Sequence, residues 1–137
     1  TSTQYYKAIQ IAKAPRKLHG DKLTIVGHSL GGGLASTASL TCGAKAVTFN
    51  PSGPHAATVV GGGGNFRNAK TLVTVFRVKE EILTTLEDGR RFALIGLLMP
   101  DSVGRQFELP AAGSRSLLTP FQLHGMDFVL LGLETLQ

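Results

Sequence analysis

Apolar and polar positions recur with two different periods along the chain, and each change of period marks an element. From Thr3 to Ala14, Tyr6, Ile9, Ile11 and Ala12 stand among polar residues at loosely helical spacing, and Pro15 predicts the end of that helix. Lys17 to Lys22 reads as a polar turn around Gly20 and Asp21. Leu23 to Val26 is a short apolar run of strand type, and Leu30 to Thr41 is a stretch of small and apolar residues without a single charge. A helix of that composition has to be buried on most of its sides. Gly43 suits its C-terminal cap, and Lys45 to Phe49 forms a second short strand. Strand, helix and strand at this spacing predict a βαβ unit with parallel strands and a right-handed crossover.

The second half is less regular. Asn50-Pro51-Ser52-Gly53-Pro54 is a turn cluster at a strand end, the edge at which open α/β sheets bind ligands. His55 to Val60 makes a helical turn, and the four glycines Gly61 to Gly64 read as a mobile loop. A phosphate cradle is the sharper reading of those glycines, but no strand precedes them. Thr71 to Val78 is the clearest strand by β-branched and aromatic content, with Glu80 and Glu81 directly behind it. Ile82 to Met99 suits a hairpin or a short helix, Asp101 to Ser116 reads as a loop, and Phe128 to Leu136 reads as a final helix. No repeat or linker interrupts residues 1–137, which are read as one domain.

The junction of the first strand and the charge-free helix, Gly27-His28-Ser29-Leu30-Gly31, has the form of a nucleophile elbow. A strand delivers the chain into a sharp turn where the serine takes a strained backbone conformation at a helix N-terminus. Gly27 and Gly31 are expected because a Cβ at either place would collide with a neighbouring element. Gly32 and Gly33 follow, although each glycine costs a helix interior about 0.5–1 kcal/mol relative to alanine. Something other than helix stability requires them. The plainer reading is a glycine-rich turn without catalysis, or an anion-binding one. A phosphate loop fits poorly, since no Gly-Lys-Ser/Thr ending follows.

Gly27-His28-Ser29-Leu30-Gly31-Gly32, with Leu34-Ala35 behind it, resembles the α/β-hydrolase lipases, most of all the class 3 (fungal lipase-like) group and related bacterial phospholipase-like proteins. The resemblance implies an α/β-hydrolase fold: a mostly parallel sheet with flanking helices. Since that group places several strands before its elbow, this chain is expected to be the C-terminal portion of such a domain, the N-terminal strands lying in a second chain or a preceding segment. It also implies a serine ester hydrolase acting on lipids, as lipase or phospholipase, with no cofactor or metal. The alternative is a non-catalytic lipase-like fragment that binds a partner chain.

A serine nucleophile requires a base oriented by a third group, and on this fold the chain order is serine, acid, histidine. Of His19, His28, His55 and His124, only His124 fits that order, and His124-Gly125-Met126-Asp127 resembles the family segment before the last helix. A helix-capping histidine is its plainer reading. Glu81 leads as the acid, its Glu81-Ile82-Leu83 resembling the family's acid segment with Glu in place of the usual Asp. Asp101 is the alternative and Glu80 the third choice. The backbone N–H of Leu30 is expected to be one oxyanion donor; the second normally comes from an earlier loop of the fold.

Composition changes the picture little. The formal net charge of +5 and a pI near 9.7 favour anionic partners and lean toward a membrane surface. Lys13, Arg16, Lys17 and Lys22 are scattered without interleaved aromatic residues, which argues against nucleic-acid binding. The single cysteine, Cys42, cannot close an intrachain disulfide. No signal-type segment or membrane-length apolar run is present, so the compartment stays open, a secreted bacterial effector among the options.

Overall fold

The computed structural model describes residues 2–78 and 103–110, together with Leu130 and Leu133. Its elements are α1 (Ser2–His19), a 3-10 turn (Gly20–Lys22), β1 (Thr24–His28), α2 (Leu30–Cys42), β2 (Lys45–Phe49), α3 (Ala56–Gly61), α4 (Ala69–Leu72), β3 (Val73–Val78) and β4 (Arg105–Leu109). The four strands form one sheet in the order β1-β2-β3-β4, and every pairing is parallel. This is an α/β fold with flanking helices, and the βαβ unit stands where the hydrophobic pattern puts it.

Register assigns the two faces. Ile25, Ala46 and Val73 align across the first three strands, as do Gly27, Thr48 and Val75. This face meets the helices: Leu40 of α2, Val59 of α3 and Ala69 of α4 close a core with Ala46, Val73 and Val75. Val59, Val73 and Val75 are fully buried, each contributing about 1.5–3 kcal/mol. On the opposite face Phe49 stacks on Phe76 and Phe76 on Phe107, with ring centroids 5.7 and 5.5 Å apart. Arg105 lies over the end of that row, 5.1 Å from the Phe107 centroid.

Helix α2 hides its polar side chains in its own backbone. Ser36, Thr37 and Thr41 each donate a hydroxyl to the carbonyl four residues earlier, at 2.8–2.9 Å. A helix of such residues is thereby buried without orphaned polar atoms; among the described residues no buried side-chain nitrogen or oxygen lacks a partner. Gly43 takes the left-handed cap conformation, φ 78, and its N–H donates to the Ser39 carbonyl.

The structure departs from the sequence pattern in four places. Helix α1 does not end at Pro15 but runs to His19. Its ring deprives only the Ile11 carbonyl of a donor, on a turn where Ile11 is 74% exposed and water is at hand. Beyond it Arg16 ties the last turn down, donating to the Cys42 carbonyl at 3.0 Å and pairing with Asp21 at 3.1 Å. Thr71 and Leu72 belong to α4 rather than to the strand that follows. Gly61 to Gly64 is a seated turn rather than a loose loop: Gly61 closes α3, and the Gly64 N–H donates to the Val59 carbonyl at 2.8 Å. A Cβ on Gly64 would stand 2.5 Å from the Leu40 carbonyl oxygen. Finally, Arg105–Leu109, inside the stretch read as a loop, is a strand paired with β3. Its alternation is masked because Arg105, Gln106, Phe107 and Glu108 are all exposed.

Candidate active site

The chain leaves β1 at His28 and enters α2 at Leu30, so Ser29 alone makes the reversal. Its backbone adopts φ 54 and ψ −122, a conformation that costs a non-glycine residue about 1–3 kcal/mol. Two sets of contacts hold it there. The Ser29 N–H continues the strand ladder, donating to the Phe49 carbonyl at 3.1 Å. The Ser29 carbonyl accepts from the N–H groups of Gly32 (2.9 Å), Gly33 (3.2 Å) and Ser52 (3.0 Å), and from the Ser52 hydroxyl at 3.3 Å.

Ser29 occupies the N-cap position of α2, yet its side chain makes no capping hydrogen bond. Serine at that position ordinarily caps. Here the hydroxyl is directed elsewhere. The turn also faces the positive end of a 13-residue helix with no acidic residue in its first turn. Leu30, the first helical residue, is 47% exposed, and its N–H is one of the donors that a helix start leaves without an internal acceptor.

The glycines resolve into different roles. A Cβ on Gly27 would stand 2.5 Å from the Gly31 carbonyl carbon and 2.8 Å from the Gly32 nitrogen, so this position admits glycine alone. Gly31 was expected to be equally confined, but nothing lies within 4 Å of its would-be Cβ; it faces open space. Gly32 and Gly33 let α2 settle onto the 51–53 turn: a Cβ on Gly32 would meet Pro51 at 2.5 Å, and one on Gly33 the Ser52 hydroxyl at 2.6 Å.

That turn is itself braced by β3. Asn50, buried and at φ 43, donates its N–H to the Phe76 carbonyl at 2.8 Å and accepts the Val78 N–H on Oδ1 at 2.9 Å. Arg77 donates to the Pro51 carbonyl at 3.1 Å. Asn50 and Ser52 were not singled out from the sequence. The signal was the Asn-Pro-Ser-Gly-Pro cluster at a strand end, and asparagine's tolerance of positive φ.

Of the candidate site residues, Ser29 and Leu30 stand together at the β1–α2 turn, while His124, Glu81, Asp101 and Glu80 lie outside the described residues. Three other histidines lie among the described residues, and His28 ends β1 beside Ser29. His55 caps α3, its Nδ1 within 2.7 Å of the Thr58 hydroxyl and its ring stacked on Tyr5 at 5.1 Å; His19 is exposed at the end of α1. Among the described residues no group of three or more His, Cys, Asp or Glu side chains is gathered as for a metal ion, and no helix is long and apolar enough to cross a membrane.

Beside the turn, an apolar groove of about 370 Å³ runs between α1, the outer edge of β1 and α2, with Ile11, Leu23, Val26 and Leu34 in its lining. Val26 is 63% exposed there. Among the described residues β1 pairs with β2 only, so this groove follows the edge of the sheet.

Residues 1–118 match the family model described as phospholipase-like, Tle-like phospholipase domain. Over 50 residues the chain is 56% identical to the extracellular phospholipase A1 of Serratia liquefaciens, a stretch that covers 36% of this chain and 16% of that protein.

Proposed function

Because the chain belongs to the Tle-like phospholipase domain family, we propose that it acts as a serine hydrolase on the carboxylic esters of phospholipids. The observation that carries this reading is Ser29: a strained residue at the start of a helix whose hydroxyl does not cap that helix. In the proposed reaction Ser29 Oγ attacks the ester carbonyl carbon while His124 takes its proton. The oxyanion of the tetrahedral intermediate is met by the Leu30 N–H. His124 then gives the proton to the leaving alcohol, and water, deprotonated by the same histidine, releases the fatty acid from Ser29. Glu81 orients His124, with Asp101 as the alternative acid and Glu80 behind it. The net charge of +5 supports approach to an anionic lipid surface; retention on anionic but not zwitterionic vesicles, lost as salt rises, checks that part. The reaction itself is tested with a fluorophosphonate probe: labelling of the parent chain and none of Ser29→Ala is expected, and an unlabelled parent chain refutes the reading.

A second reading is favoured by the edge of β1. Parallel sheets are ordinarily covered on both faces and paired in their interior, whereas β1 leaves Val26 exposed above an apolar groove. We propose that a further strand of polypeptide, from a partner chain or a preceding segment, pairs there, either beside an active Ser29 or, in the absence of catalysis, as the function itself. Covalent labelling separates the two outcomes.

A further inference from the structure

We propose that Ser52 is a positioning residue for the oxyanion donor, an inference that rests on the serine-hydrolase reading of Ser29 and Leu30. The Leu30 N–H and the Ser29 carbonyl belong to one peptide unit, which is planar and holds the two groups pointing in opposite directions. Whatever fixes the carbonyl therefore aims the N–H. Gly32 and Gly33 supply two of the bonds to that carbonyl from within α2, and any helix start provides such bonds. Ser52 is different. It comes from the turn after β2 and places both its backbone N–H (3.0 Å) and its hydroxyl (3.3 Å) on the same oxygen.

Its hold is firm because the turn cannot drift. Ser52 is 8% exposed and packs against Gly33, where even a methyl group would stand 2.6 Å from its hydroxyl. Pro51 and Asn50 on its N-terminal side are tied to Arg77 and Val78 of β3. The carbonyl is thus drawn inward by a part of the molecule independent of α2, and the N–H on the other side of the peptide is presented outward at the helix start. Hydrogen bonds to a carbonyl also polarise its peptide, strengthening the N–H as a donor by about 10–30% per bond. Ser52 acts on the Ser29 carbonyl. Its effect passes entirely through the peptide between Ser29 and Leu30.

The test uses the full chain with Ser52→Ala and Ser52→Cys, which keep the backbone N–H and remove or weaken the hydroxyl donor. Turnover of a short-chain nitrophenyl ester, the rate of fluorophosphonate labelling and the amide resonance of Leu30 are followed together. Since loss of a whole oxyanion donor costs about 10²–10³ in kcat, misaiming one should lower kcat about tenfold in Ser52→Ala, with an intermediate loss in Ser52→Cys. KM should stay within about twofold, because the interaction operates in the transition state, and the Leu30 amide resonance should move. Equal labelling and turnover in parent and variants would overturn the proposal, as would a loss confined to KM. An unlabelled parent chain would overturn the serine-hydrolase reading and this proposal with it.

Discussion

Gly27 and Gly31 flank Ser29 symmetrically in sequence, but their surroundings predict opposite responses to the same methyl group. In Gly27→Ala the new Cβ meets only backbone: the Gly31 carbonyl carbon at 2.5 Å and the Gly32 nitrogen at 2.8 Å, against 3.4 Å for ordinary contact. No flexible side chain stands there to yield. The first turn of α2 must back away from β1, and it is pinned by Pro51 and Ser52 on its far side. Overpacking of a close-fitted site costs about 1–3 kcal/mol, and a wholly backbone clash belongs at the upper end. With about 4 °C of Tm per kcal/mol for a domain of this size, Gly27→Ala should melt about 12 °C below the parent. In Gly31→Ala the methyl enters open space at a helical position, and the gain in helix propensity is at most about 0.5–1 kcal/mol. Thermal and urea unfolding followed by circular dichroism measure both. A Gly27→Ala protein within about 0.5 kcal/mol of the parent, or a Gly31→Ala protein destabilised as much as Gly27→Ala, would refute the placement of α2 against β1, since overpacking there should cost at least about 1 kcal/mol.

Ser29→Ala and His124→Ala should each lower ester turnover by about 10⁶ while melting like the parent; a loss under about tenfold in a folded variant removes that residue from the mechanism. Glu81→Gln is expected to cost about 10⁴ in kcat and Asp101→Asn distinctly less, and kinetics showing the reverse order would transfer the role to Asp101. Val26→Lys, which puts a charge on the exposed edge of β1, should reduce concentration-dependent association in sedimentation velocity; a parent chain that is monomeric at every concentration speaks against pairing at that edge. Asn50→Ala gives up both a side-chain hydrogen bond to β3 and the residue type suited to positive φ, so a loss of about 2–3 kcal/mol in urea unfolding is expected, with Asn50→Gly recovering part of it.

What could be read from the sequence was local. The Leu23–Phe49 stretch is legible because its short apolar runs, its charge-free helix and Gly43 all agree with one another. The same reading missed features set by partners far away along the chain. Pro15 is tolerated within α1 because of what surrounds Ile11 and what Arg16 reaches, neither of which a proline rule contains. Strand β4 hides its period because only the Leu109 side chain is buried while its neighbours face water. The difference between Gly27 and Gly31 arises from where α2 lies over β1, and the motif treats them alike. At the candidate site Ser29 and Leu30 are placed, whereas the acid and the histidine fall outside the described residues, so their assignment rests on chain order and resemblance. The clamp of Asn50 and Ser52 was visible only as a turn. Its hydrogen bonds join three strand ends, a relation no local pattern encodes.

The hold on Ser29 also carries a consequence in time. Among the described residues the bonds to its carbonyl come from within 23 residues of chain, whereas the partners β3 and β4 are separated by residues 79–104. Loops of these lengths close at nearly the same cost in chain entropy, but the bonds on the Ser29 carbonyl need neither β3 nor β4, so the unfavourable backbone at Ser29 can be accepted while part of the sheet is still missing. The barrier to folding then rises at this turn. Damage here should slow the approach to the native state more than it shortens the life of the native state once formed.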